Sequence, residues 1–190
     1  MQAASGGARA VFLDRDGVLN EAVVRDGKPY PPASVEELTL AEGAAAGLTL
    51  LKQAGFILLV ATNQPDVARG TQCIETVHDI HREMARTLPL DEFLICPHDD
   101  RDGCECRKPK PGLLLQGQAR YGIDLGRSYM VGDRWRDIDA GHAAGCRTVF
   151  VDRGYRERGP TAPPDFRVTS LREAVDCILR QEGETEHAVG

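Results

Sequence analysis

A chain of 190 residues can bury one sizeable core, so a single compact domain without disulfide staples is expected. Its formal net charge of −6 and pI near 5.4 argue against a nucleic-acid groove, which needs clustered Lys and Arg on one face. No apolar run approaches the roughly 18 residues of a membrane span, and Met1 to Ala10 has no apolar secretory core, so a cytoplasmic protein is expected.

Short apolar runs rich in branched residues alternate with helical patterns, which predicts an α/β fold: a Rossmann-like, mostly parallel sheet sandwiched by helices. After a flexible N-terminus (1–9), the first strand covers 10–14 and runs into Val11-Phe12-Leu13-Asp14-Arg15-Asp16-Gly17. An apolar strand that ends in two carboxylates and a glycine is either a solvated acidic turn or a rigid nucleophile, Asp14, followed by a proton-transfer group, Asp16. The irregular stretch 20–33, with Lys28-Pro29-Tyr30-Pro31-Pro32, could arch over the carboxyl end of that strand. Ala44, Leu48 and Leu51 then share one helix face, which Gly55 stops. The strand at 56–62 ends in Thr62-Asn63-Gln64, read as phosphate-binding donors or as a plain turn and cap.

Val77, Ile80, His81, Met84 and Leu88 recur at helical spacing, and a strand follows at 92–96. Cys96, His98, Cys104 and Cys106 form a four-ligand set within eleven residues, the spacing of a closed structural zinc site; core cysteines or a redox pair are the alternatives. Cys73, Cys146 and Cys177 are scattered and read as interior residues. Lys108, in Cys106-Arg107-Lys108-Pro109, supplies a cation for phosphoryl oxygens, whereas Lys110 reads as a solvated neighbour. The strand at 128–132 ends in Gly132-Asp133, with Asp137 one turn into the next helix, an oxygen-rich cluster suited to Mg²⁺. A strand at 147–152 leads through a Gly-, Pro- and Arg-rich connector at 154–164. The last helix has Ser170 and Glu173 at capping-box positions and a stripe of Leu171, Ala174, Val175, Ile178 and Leu179. One catalytic domain is expected over 10–180, with a flexible tail at 181–190.

The ordered set Asp14-x-Asp16, Thr62, Lys108 and Gly132-Asp133 with Asp137 resembles the four motifs of the haloacid dehalogenase superfamily of phosphatases. The resemblance implies a capless fold in which Asp14 is the nucleophile, Asp16 the general acid and base, and Thr62 and Lys108 the phosphoryl stabilisers. It further implies Mg²⁺ on Asp14, Asp133 and the Asp16 backbone carbonyl, with Asp137 in support. The zinc-type loop running into Arg107-Lys108-Pro109 is similar to the histidinol-phosphate and heptose-bisphosphate phosphatase branch. The implied reaction is removal of the 7-phosphate of D-glycero-D-manno-heptose 1,7-bisphosphate, with Asn20, Asn63, Gln64, Arg107 and Arg134 as substrate contacts. Residues 25–39 and Pro65-Asp66 depart from the heptose pattern, and the short link from His98 to Cys104 is shared with the histidinol-phosphate enzymes, whose substrate is the rival. A zinc-stabilised binding protein without catalysis is the reading from another class. Oligomeric state is not legible in the sequence.

Overall fold

The computed structural model describes residues 7–25 and 28–189. In chain order, β1 (Ala10–Leu13) leads to a hairpin of β2 (Val23–Arg25) and β3 (Lys28–Tyr30), then α1 (Ala44–Gln53), β4 (Ile57–Asn63), α2 (Pro65–Arg69), α3 (Ile74–Thr87) and β5 (Glu92–Cys96). There follow α4 (Gly112–Tyr121), β6 (Tyr129–Gly132), α5 (Trp135–Ala144), β7 (Arg147–Val151), β8 (Phe166–Val168) and α6 (Leu171–Val189).

Six strands form one sheet in the order β5-β4-β1-β6-β7-β8, and every neighbouring pair is parallel. The chain crosses from β1 to β4 on one side and later to β6 on the other, so the order reverses at β1. A parallel sheet opens its crevice at such a switch point, beyond the carboxyl ends of the strands. Register places the chemistry there: Leu13 pairs with Val60 and Val131, so Asp14, Thr62 and Asp133 all emerge at one edge.

Side chains alternate across β1. Val11 and Leu13 join Leu48, Leu51, Ile80, Met84, Val175 and Ile178 on one face, and Phe12 joins Leu59, Leu113, Leu114 and Met130 on the other. Both faces are thus covered, as the near-continuous apolar strands require. The helix stripes expected from the sequence are buried, except that Leu179 is only partly so. No described helix is long and apolar enough to cross a membrane.

Several local expectations change. The stretch at 20–33 contains an antiparallel hairpin, in which Val23 pairs with Tyr30. The Pro65-Asp66 segment opens a short helix, because Pro at its start has no N–H to leave unpaired. Strand β8 is an unpredicted edge strand of three residues. Where a flexible tail was expected from 181, α6 continues to Val189; the Tyr129 hydroxyl donates to Glu182 Oε1 (2.9 Å), and Arg9 pairs with the same carboxylate. Of the expected flexible N-terminus, residues 1–6 lie outside the described residues. Ala8 is tied in, since its N–H donates to Gly122 O (3.0 Å). At the start of α6 the Ser170 hydroxyl accepts from Glu173 N (3.2 Å), but the Glu173 carboxylate reaches Thr169 N (2.8 Å), one residue before the capping-box position. Cys146 and Cys177 are buried, whereas Cys73 is exposed at the start of α3, so it is not an interior residue.

Candidate active site

Asp14 follows β1 directly, and its N–H donates to Val131 O (2.9 Å), which ties the carboxylate to the sheet. Lys108 Nζ lies 2.8 Å from Asp14 Oδ1 and 2.6 Å from Asp137 Oδ1, and it donates to Ala61 O (2.6 Å). Its backbone is pinned by Asn63, whose side chain donates to Lys108 O (3.0 Å) and accepts from Lys108 N (3.1 Å). One buried ammonium is therefore shared between two carboxylates. Burial disfavours its charge, but Asp137 and Asp14 outweigh that and hold its pKa above the ordinary lysine range.

Asp133, only 1% exposed, has no such partner. Both of its oxygens are buried without a well-formed hydrogen bond; the Tyr155 hydroxyl is close enough only to ease the charge. Burial, then the charges of Asp14 and Asp137, push the Asp133 pKa well above the carboxylate range. Asp14 is likewise raised, to about 7, by burial against the opposing pull of Lys108. Ligand atoms of Asp14, Asp133 and Asp137 lie within 4.8 Å of one another. Three acids with one lysine leave buried negative charge uncompensated, and hard oxygen donors with an orphaned carboxylate among them fit a divalent cation such as Mg²⁺. Asp137 is already engaged, since its Oδ2 also accepts from Arg134 N (3.0 Å). Asp14 and Asp133 have the freer oxygens.

The turn after β1 is compressed against this cluster. Gly17 has φ +87°, and a Cβ there would stand 1.8 Å from Asp133 Oδ2; only glycine fits. Gly132 is equally constrained, because a Cβ would meet that of Asp137 at 2.1 Å.

Asp16 is held apart from the other acids. Its carboxylate accepts from Arg15 Nε (3.1 Å) and Nη2 (2.9 Å), from Asn20 Nδ2 (3.1 Å) and from Gln64 Nε2 (3.0 Å). Burial would raise its pKa, but the Arg15 charge and these donors overcome it and hold the carboxyl below its usual value. Gln64 Nε2 also donates to Thr62 Oγ1 (2.8 Å), which leaves the threonine hydroxyl proton free to point elsewhere. Asn20 and Gln64, expected at the substrate, are both buried and donate to Asp16, and Gln64 also lines the cavity beside it.

Asp14, Asp16, Lys108 and Asp137 line a cavity of about 300 Å³ together with Tyr30 and Pro31 at the end of the hairpin and with Arg69, Arg107, Arg134 and Arg136. Each arginine is aimed by an acid. Asp100 accepts from Arg107 Nε (2.8 Å) and from Arg136 (3.0 and 3.1 Å); Asp99 takes Arg69 (2.8 and 2.9 Å), and Glu157 takes Arg134 (3.0 Å to Nε). The 154–164 connector thereby delivers both Tyr155 and Glu157. Arg136, Asp100 and Glu157 were missed in the sequence, where no motif or spacing marks them.

Beside the cavity, Cys96 Sγ lies 3.6 Å from Cys104 Sγ and 3.2 Å from Cys106 Sγ, and His98 Nδ1 lies 3.4 Å from Cys106 Sγ. Ligands on one tetrahedral Zn²⁺, with Zn–S of about 2.3 Å, are spaced similarly, so the donor set fits that ion. Lys110 Nζ donates to Cys104 O (2.9 Å) and pairs with Glu105 across the loop.

A family model described as HAD-hydrolase-like matches residues 105–174. The chain is 38% identical over 178 residues to the D-glycero-beta-D-manno-heptose-1,7-bisphosphate 7-phosphatase of Pseudomonas aeruginosa, covering 90% of this chain and 97% of the relative. It is 34% identical over 187 residues to the protein of the same name from Escherichia coli K12, covering 91% and 95%. Among solved structures it is similar to the D,D-heptose 1,7-bisphosphate phosphatase of Bordetella bronchiseptica complexed with magnesium and phosphate, with TM-score 0.74 and 30% identity over 91% of this chain and 99% of that one. Strand-tip acids, a shared lysine and this similarity together establish that the chain is a phosphoric monoester hydrolase of the haloacid dehalogenase-like hydrolases, in the family of the heptose-1,7-bisphosphate 7-phosphatases.

Proposed function

We propose that the protein removes the 7-phosphate of D-glycero-D-manno-heptose 1,7-bisphosphate through an aspartyl phosphate on Asp14. An Asp14 oxygen attacks phosphorus in line, the bond from phosphorus to the sugar oxygen breaks, and Asp16 gives that oxygen a proton. Asp16, now a carboxylate, then takes a proton from the water that attacks the acyl phosphate, and Asp14 is released. Lys108 and the free Thr62 hydroxyl proton stabilise the equatorial oxygens during both transfers. Asp16 rests as a carboxylate; an arriving phosphate dianion favours its protonation by like-charge repulsion, and the proton is taken up from solvent before the bound substrate reacts. Mg²⁺ would be held by Asp14, Asp133 and the Asp16 carbonyl, and when bound it supplies the charge that lets a dianion approach the acids.

Arg107, Arg134 and Arg136 recognise the distal part of the substrate, and Asn63 keeps Lys108 in place. Cys96, His98, Cys104 and Cys106 hold a structural Zn²⁺ that shapes the wall carrying Arg107. We assign the enzyme to one catalytic domain, which takes in Ala8, Arg9 and the part of α6 beyond Arg180 as well as 10–180, and to the cytoplasm, where a reducing pool keeps this thiol cluster available for metal.

The observation that carries this reading is Lys108 bridging Asp14 and Asp137 beside an unpartnered, buried Asp133. The test is phosphate release with Mg²⁺ on heptose 1,7-bisphosphate, histidinol phosphate and fructose 1,6-bisphosphate. A kcat/KM for the heptose ester at least about 100-fold above the others, roughly 2.7 kcal/mol of transition-state discrimination, is expected. A preference for histidinol phosphate would overturn the substrate and leave the chemistry; turnover of none would leave only a binding protein.

A further inference from the structure

Arg15 lies between the two motif aspartates in sequence and is fully buried, at 0% exposure. Its Nε and Nη2 grip both Asp16 oxygens, Nη2 also reaches Gln64 Oε1 (3.2 Å), and Nη1 lies 3.1 Å from His81 Nε2 on α3. A guanidinium can only donate, so His81 Nε2 is the acceptor and the ring is neutral with its proton on Nδ1. Burial, followed by the Arg15 charge, pushes the His81 pKa down to about 3, in keeping with that form. The ring is stacked on Phe93, with centroids 4.2 Å apart and planes 14° from parallel.

That arrangement carries a cost. Nδ1 of His81 is buried without a partner, a penalty that an aliphatic residue on this core stripe would not incur. What the histidine adds over leucine is the acceptor at Nε2, and that acceptor completes the seating of Arg15. Without it Nη1 would be left unpaired inside the protein, and the planar fork that orients the Asp16 carboxylate would shift. Proton transfer to a leaving oxygen depends on that orientation to within about an ångström.

We propose that His81 is a positioning residue for proton transfer: by accepting from Arg15 it fixes the guanidinium that aims Asp16 at the leaving oxygen. The inference rests on the reading of Asp16 as general acid. The experiment compares kcat/KM, which reports steps up to leaving-group departure, for heptose 1,7-bisphosphate and for p-nitrophenyl phosphate, whose leaving group needs no proton.

His81→Leu is expected to lose about 10- to 100-fold on the sugar ester, within the range of one proton-transfer contribution, and under about 3-fold on the aryl ester. His81→Gln, whose Oε1 accepts at similar reach, restores most of the loss. His81→Asn, too short to reach Arg15, behaves like leucine and serves if the leucine variant does not fold. Equal losses on both esters, or no loss on either, would overturn the proposal. Asp16→Asn separates the two readings. If it shows the ester-dependent loss and His81→Leu does not, the role of His81 alone falls; if Asp16→Asn itself treats both esters alike, the acid reading falls and the inference with it.

Discussion

The two clusters of metal-type donors in this molecule are built in opposite ways. Cys96, His98, Cys104 and Cys106 come from one short segment, and their donor atoms face one another as a complete set. Asp14 follows the tip of β1, whereas Asp133 and Asp137 come from the tip of β6 and the first turn of α5, far along the chain from it, and all three are buried. The soft set has four donors and no position for a reacting water, as a structural ion requires. The oxygen set carries an unpartnered Asp133 and borders the cavity that Asp14, Asp16 and Lys108 line. Closure suits stability, and incompleteness suits chemistry.

Breaking the oxygen set should have the largest effect on turnover. Asp14→Asn is expected to lower phosphate release by about 10⁴-fold or more, with the fold intact by circular dichroism. Breaking the soft set should act on the fold first: Cys106→Ser is expected to lose the zinc measured per chain by emission spectroscopy. It should also lower Tm by about 5–10 °C, while the Mg²⁺ dependence of the residual activity stays unchanged.

Lys108→Met removes the shared cation and leaves two buried carboxylates facing each other. Loss of one partner from a buried pair costs about 3–5 kcal/mol, to be read from urea unfolding without metal. The smallest effect carries the sharpest sign. Asp133 has a raised pKa in the fold, so the native state holds its proton more tightly than the unfolded chain does. Its contribution to metal-free stability therefore falls as pH rises above the ordinary Asp pKa near 4. Asp133→Asn should raise the metal-free Tm at pH 8 by about 2–4 °C. That gain should vanish below about pH 4 and shrink when Mg²⁺ is added to both proteins. A gain that persists at low pH would mean packing, not charge.

Much of this site was legible along the chain. Asp14, Thr62 and Asp133 each end an apolar run, and the thiol spacing is contained in eleven residues, so both signals are local. Asn20 and Gln64 are expected at the substrate, Asn20 through the resemblance alone and Gln64 also from its place after a strand tip, and neither signal shows that both also hold an acid. That role appears only once the fold brings Asp16 between them. Arg136 and Glu157 carry no local signal, since their roles arise from meeting Asp100 and Arg134.

The sequence by itself determined the alternation of strands and helices, the acids at strand ends and the sulfur ligand set, because hydrophobic period and ligand spacing act over a few residues. The tertiary structure decided that Lys108 is shared by Asp14 and Asp137, that Arg15 is buried against His81, and that α6 runs on past Arg180 to meet Arg9 and Tyr129. Those outcomes depend on which distant residues come within a few ångströms once the sheet has formed, and electrostatics and hydrogen bonding act on that proximity rather than on position in the chain.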